Sequence, residues 1–180
     1  ALDRPPLYYA LNLIPFSLVA EQPIPIQLYS LRLFSVLLGL GVVALSFLTV
    51  RALLPDRPLL WFMVPTAIAF LPMFTFITGS VNSDNLANLI AASFFFLLVL
   101  IFRDGLTLPK LVGILVLLSL GLLTKRTTFF LFPLTLAALP LSLWGKGIKV
   151  PPNVKWVGLV LGASIVVIAM ATAVPDVVSG

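Results

Sequence analysis

The sequence predicts an all-α membrane protein, a polytopic transmembrane helix bundle of about six spans preceded by a helix in the membrane interface. Hydrophobic residues make up 61% of the 180 positions, and charged residues make up only 9%. A soluble domain of this length needs more polar surface than that. The charges also lie in short clusters between long uncharged runs. We therefore expect most of the protein surface to face lipid.

The composition excludes several classes of site. Cysteine and histidine are both absent, which excludes zinc fingers, thiol nucleophiles, imidazole bases and disulfide scaffolds. The formal net charge is +5, but the basic residues lie at the ends of apolar runs and form no basic face with interleaved aromatic residues. We therefore expect no nucleic-acid partner and interpret the positive charge as a signal of membrane topology.

Residues 1–27 are expected to form an interfacial segment at the outer face of the membrane. Between residues 5 and 19, apolar residues recur every three or four positions, with Tyr8 and Tyr9 among them. This spacing is typical of a short helix in the interface with its tyrosines at the level of the headgroups. The proline-rich link 21–27 should not form a regular helix and should turn the chain into the bilayer.

Residues 28–180 are expected to form the transmembrane bundle. A bilayer crossing takes about 17 to 25 apolar residues, and connectors with charged, proline or glycine residues should separate the crossings. By this rule the spans are 31–54, 59–78, 86–102, 111–124, 127–144 and 156–174.

The distribution of basic residues predicts the orientation of this bundle. Alternate connectors carry seven cations on one side: Arg51, Arg57, Arg103, Lys110, Lys146, Lys149 and Lys155. Cytoplasmic loops are enriched in Lys and Arg, so this side should be cytoplasmic. Segment 79–85 should then lie on the outer side.

The first candidate site is the polar stretch 79–88. It has one carboxylate and three carboxamides in Asp84, Asn82, Asn85 and Asn88. Asp84 and Asn88 are one helical turn apart on the same face. They could bind a divalent cation, Mg²⁺ or Mn²⁺, through Asp84, or orient a sugar hydroxyl. The alternative is that Ser83 or Asp84 only caps a helix that starts near residue 86.

The second candidate site is the pair Lys125 and Arg126, between the fourth and fifth spans. Charges at this depth usually face a bundle interior or an aqueous cavity. Two adjacent cations with the hydroxyls of Thr124, Thr127 and Thr128 nearby would suit a phosphate or pyrophosphate. We expect this pair and the polar stretch 79–88 to meet in one water-filled pocket at the outer side. The alternative is a re-entrant turn, or side chains that extend to lipid headgroups.

Two further residues are weaker candidates. Arg32 lies near the outer end of the first span, where it could extend to the interface or face the same outer cavity as Asp84. Asp3 precedes two prolines and is either in a solvated loop or part of a substrate rim.

An ordered series of short stretches resembles the GT-C superfamily of membrane glycosyltransferases, which includes protein O-mannosyltransferases, lipid A aminoarabinose transferases and related bacterial proteins of unassigned function. The matching stretches are Pro5-Pro6-Leu7-Tyr8-Tyr9, residues 31–39, Pro55-Asp56-Arg57, Phe70-Leu71-Pro72, residues 79–88 and residues 121–125. Their order matches across about 140 residues. Each stretch alone is weak, and the specificity comes from the series.

The resemblance implies a transferase that uses a polyprenyl-phosphate-linked sugar at the outer face of a bacterial inner membrane. Asp84 matches an acidic loop of the family, and Asp3 is the carboxylate nearest to the principal acidic position. Lys125 and Arg126 would bind the lipid-linked phosphate, while Asn82, Asn85, Asn88 and Arg32 would contact substrate. The chain departs from the family in lacking its first helix and the acidic start of its first outer loop, so we expect upstream sequence or an incomplete module.

Two other interpretations remain open. The chain could be a catalytically silent accessory subunit of a larger membrane complex, with lipids, pigments or other membrane subunits as partners. In that case Asp84 should make only capping contacts. A transporter is the second alternative, but the spans lack paired intramembrane acids and obvious inverted repeats.

Overall fold

A computed structural model describes residues 7–144. All regular secondary structure in this part of the chain is helical, which confirms the all-α class for the described residues. The predicted sixth span, 156–174, and the candidate Asp3 lie outside it. The helices are α1 (Leu7–Ser17), α2 (Ile24–Leu53), α3 (Pro58–Ala69), α4 (Pro72–Thr78), α5 (Asp84–Asp104), α6 (Leu108–Thr124), a 3-10 helix (Arg126–Phe130) and α7 (Leu131–Trp144).

Two of the described helices, α2 and α5, are long and apolar enough to cross a membrane alone. A third crossing is counted if α3 and α4 form one span, although they meet at a bend of 65°. Helix α6 has 17 residues, or about 26 Å at 1.5 Å per residue, which is less than the roughly 30 Å hydrocarbon core. Six spans are therefore not confirmed. The length of an apolar run in the sequence does not show where a helix is interrupted.

The prediction that the link 21–27 is not helical was wrong for its second half. Helix α2 begins at Ile24 and includes Pro25 in its first turn. The first backbone N–H groups of a helix have no intrahelical partner, so proline is tolerated there. The Gln27 side chain donates hydrogen bonds to the carbonyls of Ala20 (2.9 Å) and Gln22 (2.8 Å), which satisfies the preceding turn.

Helices α5 and α6 form an antiparallel hairpin around the main apolar core. Gly105 has a positive φ of 94° in the connection, and Lys110 Nζ donates to the carbonyls of Leu100 (2.9 Å) and Gly105 (3.0 Å). The buried members of this core are Phe94, Leu98, Ile101, Ile114, Leu118, Leu131, Phe132 and Ala138. The hairpin places the start of α5 and the end of α6 at the same end of the bundle.

Helix α1 packs against α2 and α6 rather than presenting both tyrosines to an interface. Tyr8 is 0% exposed, and it packs with Leu86 and Ile90 of α5. Its hydroxyl lies 3.2 Å from Ser35 Oγ of α2. Tyr8 is therefore enclosed by protein, whereas the neighbouring Tyr9 is about half exposed. The predicted depth of both tyrosines at the headgroups stays a prediction. Helical spacing alone did not indicate which tyrosine faces the protein.

Helices α2 and α5 share the largest helix–helix contact of the described chain. Gly41 faces Leu89, and Leu38 packs against the cluster that contains Leu86 and Ile90. Nearer the start of both helices, Tyr8 lies against Ser35 of α2 and packs with Leu86 of α5. Residue numbers therefore increase in the same direction along α2 and α5, and the two helices run parallel. Asp84 consequently lies toward one end of the bundle and the C-terminal end of α2 lies toward the other.

Candidate functional site at the start of α5 and the end of α6

The start of α5 is capped by Asn82, which precedes the two predicted capping residues, Ser83 and Asp84. The Asn82 Oδ1 atom accepts a hydrogen bond of 3.1 Å from the backbone N–H of Asp84. Ser83 holds the N-cap position but its side chain makes no capping hydrogen bond. The interpretation of Ser83 or Asp84 as merely a cap was therefore wrong. Asp84 lies in the first turn, where the helix dipole stabilises a carboxylate.

Lys125 follows the last residue of α6 in an extended conformation, with φ −163° and ψ 138°. Its backbone N–H donates to the Gly121 carbonyl at 2.9 Å, and its carbonyl accepts a 2.7 Å hydrogen bond from Thr128 Oγ1. Both sides of the Lys125 peptide are therefore held by neighbouring backbone and side-chain groups. This local structure points the lysine side chain toward the start of α5.

The Lys125 ammonium forms an ion pair with the Asp84 carboxylate. The two residues are 41 positions apart in the sequence, and their side chains are 33% and 31% exposed. We call this contact the Asp84–Lys125 pair. The two polar stretches that the sequence analysis expected to meet do lie together, at a place where about a third of each side chain remains accessible.

Arg126 follows directly and is exposed at the start of the 3-10 helix. The site therefore has two adjacent cations and one carboxylate, so its formal charge is +1. Asn88 is half-buried one turn along α5 from Asp84. No hydrogen bond from the Asn88 side chain is found within the described range.

Asn85 has a structural role in this corner. It is 1% exposed, and its Nδ2 donates to the carbonyls of Ile77 (3.1 Å) and Ser80 (2.9 Å) at the end of α4. These bonds hold the turn between α4 and α5 in place. Its Oδ1 is buried without a hydrogen-bond partner among residues 7–144.

Arg32 is not brought to the site by any observed contact. It is exposed on α2, and among the residues that the structure describes it has no ion pair with Asp84. This position fits the expectation of a side chain that extends from the helix toward polar surroundings.

The divalent-cation site at Asp84 stays a prediction, and the ion pair with Lys125 disfavours it. No group of three or more His, Cys, Asp or Glu residues that could hold a metal occurs in the described part of the chain. One oxygen of Asp84 is also in contact with the Lys125 ammonium, and a divalent cation would be repelled by that charge. The corner is instead suited to an anion, because guanidinium and ammonium groups bind phosphate oxygens through charge-assisted hydrogen bonds.

Two residues that support Lys125 were not identified as such from the sequence. Gly121 is buried, and a Cβ built on it would lie 2.9 Å from Thr128 Oγ1. Thr128 had been considered as a phosphate-binding hydroxyl, but it is buried and its hydroxyl is used by the Lys125 carbonyl. A glycine inside an apolar helix gives little indication of such close packing, so this support follows only from the tertiary structure.

A protein-family model described as "Predicted membrane protein (DUF2142)" matches residues 3–179. The match covers nearly the whole chain, and its description agrees with the apolar helices in naming a membrane protein. The description gives no activity. No curated protein and no solved structure matches the chain.

Proposed function

The chain belongs to the DUF2142 family of predicted membrane proteins, and we propose that this membrane protein transfers a sugar from a polyprenyl-phosphate donor. The donor phosphate binds at the Asp84–Lys125 pair, in the manner of the GT-C glycosyltransferases that the sequence resembles. The positive-inside distribution supports an orientation with this corner on the outer side of a bacterial inner membrane.

The observation that carries the proposal is the Asp84–Lys125 pair itself. A lipid-linked phosphosugar has an apolar tail, an anionic phosphate and a polar sugar, so its site needs cations beside apolar helices. The corner offers Lys125 and Arg126 next to the exposed apolar residues Leu123 and Phe130. Cations at membrane depth commonly mark such substrate sites.

In the proposed reaction an acceptor hydroxyl attacks the anomeric carbon of the sugar. The new carbon–oxygen bond forms as the bond from that carbon to the phosphate oxygen breaks, and the electron pair leaves with the polyprenyl phosphate. Lys125 and Arg126 stabilise the charge on the departing phosphate. One oxygen of Asp84 holds Lys125, and the other takes the proton of the acceptor hydroxyl as general base.

The test uses the full chain in nanodiscs with a radiolabelled polyprenyl-phosphate hexose as the donor probe. Binding and transfer to added hydroxyl acceptors are measured separately. Asp84→Asn should lower transfer by about 100-fold or more, the usual contribution of a general base, while the variant still binds donor. Lys125→Gln should weaken donor binding. Arg57→Gln, at the opposite end of the bundle, is the control and should change neither.

Three results would contradict the proposal. Equal binding of the dephosphorylated polyprenol and its phosphosugar would exclude phosphate recognition. Transfer retained by Asp84→Asn would exclude the role of this carboxylate as base. Lack of donor binding by the unmodified protein would favour an accessory subunit that binds other membrane components.

A further inference from the structure

We propose a second binding site, in which a cleft between α2 and α3 holds an acyl chain of an anionic phospholipid while Arg51 contacts its headgroup. This site does not depend on the proposed glycosyl transfer, because it lies toward the end of the bundle opposite to the Asp84–Lys125 pair.

The cleft has a volume of about 540 Å³. One wall is the stretch of α2 from Leu40 to Leu48. The other runs from Trp61 of α3 to Phe70, the residue after this helix. Thr66 provides a hydroxyl, while the remaining lining side chains are aliphatic or aromatic. An apolar cleft of this shape is suited to a hydrocarbon chain rather than to a polar solute.

The bend after α3 leaves this cleft open on one side. Helix α4 turns away from α3 by 65°, because α3 ends at Ala69 and Pro72 begins the next helix. Phe62 and Phe70, which line the cleft, are 64% and 80% exposed. Within the described range, no helix covers these rings, so an external apolar group can reach the cleft from the side.

Arg51 lies at one end of the cleft, and its positive charge favours an anionic headgroup there. The Arg51 guanidinium lies 5.5 Å from the centroid of the Trp61 ring, and the Trp61 Nε1 donates to the Leu54 carbonyl at 2.8 Å. Arg51 is exposed and makes no salt bridge within residues 7–144. Asp56 and Arg57 follow in the connection to α3, so the formal charge of Arg51, Asp56 and Arg57 together is +1.

The two sites are separated along α2. Arg51 is ten residues beyond Gly41, or about 15 Å along the helix axis, and Gly41 faces Leu89 of α5. Asp84 lies five residues before Leu89. Along the bundle axis, Asp84 and Arg51 are therefore on opposite sides of the contact between Gly41 and Leu89. A lipid headgroup at Arg51 therefore belongs to the leaflet at the opposite end of the bundle from the phosphate of the proposed donor.

The test uses quenching of tryptophan fluorescence by lipids with brominated acyl chains. The full chain with Trp144→Phe and Trp156→Phe keeps Trp61 as its single tryptophan. It is reconstituted in phosphatidylcholine vesicles with either dibromo-phosphatidylglycerol or dibromo-phosphatidylcholine at the same mole fraction. The anionic lipid should occupy the cleft about fivefold more favourably, as expected for one arginine close to a headgroup.

Three variants separate this site from general lipid contact. Arg51→Gln should abolish the preference for the anionic lipid, whereas Arg103→Gln, at the same end of the bundle, should keep it. Ala69→Phe, which fills the cleft without changing charge, should also abolish it. The ratio of quenching by the two lipids is compared, because Arg51→Gln also changes the surroundings of the Trp61 ring.

Equal quenching by both brominated lipids in the parent protein would overturn the proposal. So would a preference that survives either Arg51→Gln or Ala69→Phe. If neither lipid quenches Trp61, protein rather than lipid covers the cleft, and the proposal is wrong.

Discussion

The Lys125 ammonium is bound to the Asp84 carboxylate and so connects the end of α6 to the start of α5. Each partner is fixed by its own backbone: Asn82 caps the turn that begins with Asp84, and Thr128 holds the Lys125 carbonyl. The pair is therefore a contact between two rigid corners. Both side chains remain about one-third exposed, so a ligand can still reach them.

The first prediction concerns the stability contributed by this ion pair. Asp84→Asn and Lys125→Gln should each lower the free energy of unfolding by roughly 0.2 to 1 kcal/mol, the range of partly exposed pairs. Asp84→Asn should lose somewhat more, because it also removes a favourable charge from a helix N-terminus. Thermal or denaturant unfolding in detergent measures both variants.

The double variant isolates the pairwise contact. If the pair exists, the second substitution should cost less in the presence of the first, which gives a coupling energy. The pair of Asp84→Asn with Arg32→Gln is the matched control, since Arg32 makes no observed contact with Asp84. Strict additivity for both pairs would contradict the ion pair.

The sequence predicted the helical class and the meeting of the two polar corners, because charges at the ends of adjacent apolar runs must lie at the same end of a hairpin. It did not predict how Asp84 is used. A helix start accommodates a capping, a metal-binding and an ion-paired carboxylate equally well. The partner of Asp84 depends on the extended conformation of Lys125, which Gly121 and Thr128 set by close packing.

The sequence also could not determine the number of crossings. Apolar composition is similar in a continuous span and in α3 and α4, which are separated by a break at residues 70 and 71. Proline gives an ambiguous signal, because Pro65 lies inside α3 while Pro72 begins a new helix. Whether a proline is accommodated within a helix or begins a new one depends on which neighbouring groups hydrogen-bond to the free carbonyls. Those neighbours are set by the tertiary structure.

The second prediction compares two glycines at helix contacts. Gly39→Ala should lower the free energy of unfolding by about 1 to 3 kcal/mol through overpacking. The new Cβ would meet Thr78 Cγ2 and lie 3.0 Å from Thr78 Cβ. Thr78 is β-branched, and its hydroxyl donates to the Phe74 carbonyl at 2.9 Å, so it has little freedom to move.

Gly113→Ala is the matched control for this overpacking. Its Cβ would lie 2.7 Å from Leu97 Cδ2, the end of a flexible side chain that can rotate away. The gain in helix propensity, about 0.5 to 1 kcal/mol, should offset that adjustment. Denaturant unfolding should rank Gly39→Ala well below Gly113→Ala, and Thr78→Ser should partly rescue Gly39→Ala. Equal stability of the two alanine variants would refute the assigned contact.

The third prediction tests the docking of α1. Tyr8→Phe removes the hydroxyl next to Ser35 and should cost about 1 kcal/mol. Ser35→Ala should cost more, about 1 to 3 kcal/mol, because the fully buried Tyr8 hydroxyl then lacks its partner. The double variant should be more stable than Ser35→Ala alone. Unfolding in detergent measures all three, and a double variant that is less stable than Ser35→Ala would contradict the hydrogen bond.

The fourth prediction distinguishes a structural from a ligand-binding Asn85. Its Nδ2 donates to two carbonyls, those of Ile77 and Ser80, so Asn85→Asp would place carboxylate oxygens against carbonyl oxygens in a buried position. Asn85→Asp should therefore be more destabilising than Asn85→Ala, which loses the same bonds without adding a buried charge. Asn88→Asp and Asn88→Ala, one turn away and half-buried, form the control pair and should differ little. A residue that served only a ligand would instead leave the unfolding midpoint unchanged in both Asn85 variants, and that result would return Asn85 to the proposed substrate site.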